Sequence, residues 1–200
     1  DDVNVAVIDR FDRTSTGRRI PYWSMATFLQ STEDGYPPPC YTELNERLYL
    51  QADSLDKTTA KEIVGRLLLN YLINNTDDHG RNTGLLMRNN GVWVLSPAFD
   101  INPVPLSRPE APYVSKNYLS LAEGEIEDVR QIWDNLAAFD LTDEEGVEIF
   151  KRVIGAVRNW KSLAVKPTVR MNASDLRDYA PAFSSVRLQK AVELAARFEN

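Results

Sequence analysis

A polar run, Asn75-Thr76-Asp77-Asp78-His79-Gly80-Arg81-Asn82, stands between an apolar helical pattern and a hairpin signal, and this sets what the chain can fold into. Upstream, Thr59-Ala60-Lys61-Glu62 has the form of a capping box opening a helix. Val64, Leu67, Leu68, Tyr71 and Leu72 fall on one face of that helix at spacings of three and four. Downstream, Asn89-Asn90-Gly91 is a hairpin turn. Behind it Val92-Trp93-Val94-Leu95 reads as a strand delivering Ser96-Pro97-Ala98-Phe99-Asp100 just past its end. An antiparallel hairpin returns the chain to its start, so the polar run and Asp100 are expected at the same end.

The spacing carries chemistry. Phosphoryl transfer in protein kinases uses an Asp and an Asn five residues apart, the Asp receiving the acceptor hydroxyl's proton and the Asn holding Mg²⁺, with a later Asp on the same metal. Asp77 and Asn82 have that spacing, and Asp100 follows the strand. Amide and carboxylate oxygens suit the hard cation that accompanies ATP. Asp78 is the rival base, but it lies four residues before Asn82, so the kinase spacing selects Asp77. The competing reading is a plain helix-to-strand loop, in which Asp, Asn and Gly occur because they tolerate turns.

Other chemistries lack their parts. His79 is the sole histidine and Cys40 the sole cysteine, which leaves zinc hydrolysis and a Ser-His-Asp triad without ligands or base and leaves no internal disulfide. A single thiol suits a reducing cytoplasm. The net charge of −6 argues against a general nucleic-acid surface. The longest apolar stretch is interrupted by Gly65, Arg66 and Asn70, well short of a membrane span.

Through Asn75–Asn82, the hairpin and Leu95-Ser96-Pro97-Ala98-Phe99-Asp100-Ile101, the chain resembles the C-terminal part of HipA-like Ser/Thr kinases, the toxins of bacterial toxin–antitoxin pairs. The resemblance implies Asp77 as catalytic base, Asn82 and Asp100 as Mg²⁺ ligands, and ATP as substrate. It also implies that Val7-Ile8-Asp9-Arg10-Phe11-Asp12-Arg13 is the hinge, with Asp9 and Phe11 at the adenine and Asp12 near the ribose. His79 would brace the loop. The partners it implies are a protein substrate, such as an aminoacyl-tRNA synthetase, and a HipB-like DNA-binding antitoxin. The kinase pattern also needs a Gly-rich loop and a lysine before the hinge, and few residues precede Asp9. The expectation is therefore a C-lobe whose N-lobe is cut away, separately encoded or supplied by a partner chain.

The remainder reads as helices. Ile126, Val129, Ile132, Trp133 and Leu136 mark one, Thr142-Asp143-Glu144-Glu145 caps another, and a last runs from about Ser185 to Phe198. Their apolar stripes are assigned to packing. Gly35–Cys40 is a stiff Pro-rich loop, and the Pro-rich stretch from Asn102 to Ser120 is either the contact for a protein substrate or an irregular surface loop. The fold expected is mainly α with a small β component, a single domain over 1–200 with residues 1–13 as strand and hinge and 14–200 as a helical kinase-like C-lobe. The function expected is Mg-ATP-dependent protein Ser/Thr phosphorylation. A catalytically silent binding module and a small-molecule or lipid kinase are the alternatives, since the same metal geometry serves any hydroxyl.

Overall fold

The computed structural model describes residues 9–31, 37–51, 57–105, 113 and 116–198. The expected strand over residues 1–8, with Val7 and Ile8 of the expected hinge, lies outside the described residues, as does much of the stretch 102–120. Eight α-helices, one 3₁₀ turn and one three-stranded antiparallel sheet are seen among the described residues.

The organising element is α3, Lys57–Leu72, which is buried on nearly every side, with Ala60, Ile63, Val64, Leu67, Leu68, Asn70, Tyr71 and Leu72 all inside. The sequence pattern shows one apolar face, whereas the helix is enclosed by several neighbours. Its main one is α5, Asp143–Arg158. Gly65 lets the Arg152 guanidinium lie 2.8 Å from where a Cβ would stand, and Lys57 and Lys61 each reach Glu145 at 3.2 Å. The expected capping box at Thr59–Glu62 is not a helix start: the helix already runs at Lys57, and the pattern sits inside its first turns.

The end of α3 is built by asparagine. Asn74 takes a left-handed conformation, φ 57°, its N–H donates to Tyr71 O at 3.4 Å, and the Asn75 N–H donates to Asn70 O at 2.9 Å. This is the paired closure that usually employs glycine, and Asn tolerates it because its Cβ penalty is offset by local polar bonds. The Asn74 side chain then donates to Val104 O and accepts from Arg187.

Strand β1, Tyr22–Ser24, runs into the short helix α1, Met25–Phe28, and pairs with β2, Gly84–Met87, which pairs with β3, Trp93–Leu95. The expected hairpin is present. Gly91 N–H donates to Arg88 O at 3.0 Å, Arg88 N–H donates to Val92 O at 2.8 Å, and Gly91 sits at φ 81° as such a turn requires. Val92 is spent closing the turn, so β3 begins one residue later than its sequence pattern.

Helix α2, Tyr41–Tyr49, packs on α3. The pattern from Ile126 to Leu136 becomes α4, Val129–Asp134, followed by the 3₁₀ turn Leu136–Phe139, because Asp128 caps the helix and Gln131 reaches back to complete the box. Thr142 and Glu145 form the expected box on α5. The chain continues through α6, Trp160–Ala164, α7, Ala173–Phe183, and α8, Val186–Arg197, the last within a residue of its expected bounds. No helix among the described residues is long and apolar enough to cross a membrane.

Candidate active site

The loop that follows the Asn74 turn closes on itself. Asn82 N–H donates to His79 O at 2.8 Å, and the Asn82 side-chain amide donates to Asp77 O at 3.0 Å. With its nitrogen spent inside the loop, the Asn82 side chain has its oxygen to offer outward. The loop also caps a helix: Met25 N–H donates to Thr83 O and Ala26 N–H to Gly80 O, satisfying two N-terminal donors of α1.

Asp77 and Asp78 face opposite ways. The Asp77 side chain is half exposed, and its Oδ1 accepts from Lys116 Nζ at 2.5 Å, with His79 Nε2 at 3.9 Å. The Lys116 hydrogen bond and charge hold the Asp77 carboxyl below its ordinary value. Asp78 is buried. Tyr41 Oη donates to its Oδ2 at 2.6 Å and Asn117 Nδ2 to its Oδ1 at 3.3 Å. Burial pushes its carboxyl upward, with the bonds from Tyr41, Asn70 and Asn117 pulling back. A group so enclosed fixes the loop; its neighbour Asp77 is the one open to solvent. Among the described residues the His79 Nδ1 is buried without a hydrogen-bond partner, and the bonds that hold the loop come from Asp78, the Asn82 side-chain amide and backbone.

Pairing continues one step past β3, where Ser96 N–H donates to Gly84 O at 2.8 Å, and this brings the chain after β3 back beside the loop. Asn82, Asp78, Asn75 and Asp100 line one cleft, together with Arg66 and Phe99, with room of about 10 Å³. Asp100 stands at φ 55°, a left-handed backbone rare outside glycine and costing about 1–2 kcal/mol. Asn102 Nδ2 donates to its Oδ1 at 2.7 Å. Strain of this kind collects where a side chain must point somewhere particular.

The donors in the cleft fit a hard cation. Asn82 and Asp100 present oxygens, and Asn75 Oδ1 is buried with no hydrogen-bond partner among the described residues. Among the described residues no cluster of three His, Cys, Asp or Glu could hold a metal alone. A cation here would therefore draw on amide oxygens, water and phosphate, as Mg²⁺ does.

The expected hinge residues are placed unevenly. Phe11 packs against Phe99, ring centroids 5.6 Å apart, and against Tyr22 at 6.2 Å, so it lies next to the residue that precedes Asp100. Asp12 accepts from Arg10 and Arg13 at 2.6–2.8 Å, and the Arg10 bond holds its carboxyl down at about 2. Arg10 and Arg13 are thus both paired with Asp12. Asp9 is exposed and makes no hydrogen bond or ion pair among the described residues.

Sequence reasoning did not single out Tyr41, Lys116 or Asn117, which complete the loop from 37 to 39 residues away. Contacts at that separation leave no periodic trace.

The profile of the HipA-like C-terminal domain matches residues 1–161. The chain belongs to that family. The structure is similar to HipA of Shewanella oneidensis MR-1, solved as a toxin–antitoxin complex of HipA, HipB and operator DNA, with a TM-score of 0.54 at 16% identity. The match covers 96% of this chain and 47% of that one, so this HipA-like domain spans about half the length of its structural relative. Curated protein sequences give no match. The mainly helical fold with its small antiparallel sheet is that of a HipA C-terminal, kinase-like lobe.

Proposed function

We propose that this domain is the catalytic lobe of a Mg-ATP-dependent Ser/Thr protein kinase of the HipA type. One observation carries the reading: Asn82 and Asp100 line the same cleft, at the end of a loop that leaves Asp77 exposed five residues before Asn82. Asn82 and Asp100 would hold Mg²⁺, which when bound neutralises charge on the phosphates of ATP. Asp77 orients the acceptor hydroxyl and takes its proton as the oxygen attacks the γ-phosphorus. The bond from that phosphorus to the β–γ bridging oxygen breaks, and the electron pair leaves on ADP. Its lowered pKa keeps Asp77 ionised at neutral pH, and placement matters more than basicity because the proton moves late. Asp78 and its buried partners keep the loop in one shape. Phe11 and Phe99 offer an aromatic wall beside the metal residues for the adenine.

The structural relative was captured with HipB and DNA, and a HipB-like antitoxin is the corresponding partner proposed here. The part of a HipA-sized protein that this chain does not span would supply the remaining phosphate contacts. The deciding experiment uses the complete protein and follows transfer of the labelled γ-phosphate from ATP to protein. Asp77→Asn should reduce transfer about 10³-fold while leaving Mg-ATP affinity near native. Native protein that binds Mg-ATP yet labels no protein hydroxyl would overturn the reading.

A further inference from the structure

Lys116 touches the Asp77 loop twice. Its Nζ donates to Asp77 Oδ1, and its backbone N–H donates to Asp78 O at 3.2 Å. The next two residues are fastened as well. Asn117, fully buried, donates to Asp78 Oδ1 and to Tyr41 Oη, each at 3.3 Å, while Tyr118 N–H donates to Pro39 O and Tyr118 O accepts from Tyr41 N–H. A lysine on an ordinary surface loop swings freely. This one is carried on a segment stitched to that loop at Lys116 and Asn117 and to Pro39 and Tyr41 at Tyr118.

Stability does not account for the arrangement. The Lys116 and Asp77 side chains are 54% and 53% exposed, and exposed ion pairs add little once the ordering of two side chains is counted. Geometry does account for it. Lys116 and His79 both approach Oδ1, which among the described residues leaves Oδ2 as the open oxygen of Asp77. A fixed cation on one oxygen turns the carboxylate and presents the other. It also offsets the repulsion between an aspartate and an incoming polyphosphate.

We propose that Lys116 is a positioning residue for the transfer, holding Asp77 so that Oδ2 faces the acceptor hydroxyl. The inference rests on the kinase reading above. The acceptor O–H gives its proton to Asp77 Oδ2, and Lys116 keeps its own proton throughout. Effects are expected on turnover and not on nucleotide capture, because none of these contacts lies on Asn82 or Asp100 side-chain oxygens.

The test uses the complete protein with Lys116→Met and Lys116→Arg, measuring kcat and KM for Mg-ATP alongside urea unfolding. Lys116→Met should lower kcat about 10-fold or more with KM within about threefold, and Lys116→Arg should recover most of the loss. Unfolding midpoints should match native. A Met variant within twofold of native kcat would overturn the proposal. So would equal loss in the Met and Arg variants, loss confined to KM, or a common loss of stability. If native protein itself transfers no phosphate while binding Mg-ATP, the kinase reading fails and Lys116 loses its role with it; native activity that is insensitive to Lys116 defeats this inference alone.

Discussion

Asp77 and Asp78 are chain neighbours with opposite environments, and the difference sets distinct expectations for each. Asp77→Asn removes a half-exposed carboxylate and should leave the unfolding midpoint near native. Asp78→Ala strips acceptors from Tyr41 and Asn117 inside the protein, which should cost about 3 kcal/mol. Urea unfolding of the two variants separates these roles. The pH dependences also differ in sign. Asp77 has a folded pKa below its unfolded one, so its pairing with Lys116 contributes in full above the ordinary carboxylate range near about 4 and is lost as pH falls through the folded value. Asp78 is raised by burial, so its contribution is present below that ordinary range and is lost as pH rises through its folded value. Stability measured from pH 4 to 8 should therefore show a decline in native protein that is absent in Asp78→Asn.

At the scale of elements, the hairpin decides whether Asn82 and Asp100 share a cleft, and Gly84 decides whether the hairpin can sit where it does. A Cβ at Gly84 would stand 2.6 Å from Ser96 Oγ and from the Tyr22 ring, and 3.0 Å from the Phe99 ring. Gly84→Ala should destabilise by about 1–3 kcal/mol and shift Phe99, hence Asp100, with a larger loss of Mg-ATP affinity than stability alone would give. Calorimetric binding at a temperature where the variant remains folded measures this. Asp100→Asn is the cleaner probe of the metal, since Asn also tolerates the left-handed backbone. It should lower transfer on the order of 100-fold and weaken the Mg²⁺ dependence of ATP binding. An unchanged Mg²⁺ dependence would remove Asp100 from the site.

Much of this level was legible before the structure. Asn89-Asn90-Gly91 marks a turn because its backbone needs are local, and Thr142 with Glu145 marks a helix start for the same reason. Thr59 with Glu62 shows the limit, since the same four-residue form occurs inside α3, whose helix already runs at Lys57. Asp78's role, Lys116 and α7 were not legible. The first two depend on where distant segments meet, whereas α7 has its own Asn172–Asp175 cap and Leu176, Tyr179 and Phe183 at helical spacing, a pattern that Pro181 interrupts.

For the whole molecule, Arg187 on α8 ties the last helix to the turn at the end of α3. It is buried, donates to Asn74 Oδ1 at 2.9 Å, and lies 5.5 Å from the ring centres of both Tyr71 and Tyr113. Burial lowers its pKa, with the two tyrosines opposing that fall. Arg187→Ala should cost on the order of 3 kcal/mol and lower activity at temperatures well below global unfolding, because the Asn74 turn launches the Asp77 loop. Following hydrogen exchange at Asn75–Asn82 in native protein and in the variant checks both parts.

That tie bears on how the domain can be dissected. The family profile ends at residue 161, yet the guanidinium that secures the turn before the Asp77 loop arrives 26 residues later. Trimming the protein at the family boundary would discard α7 and α8, uncovering two aromatic faces and the Asn74 acceptor in one cut. A fragment designed from the profile alone should then be poorly soluble and inactive for reasons unrelated to its chemistry. One that runs through Arg197 keeps the loop's anchor.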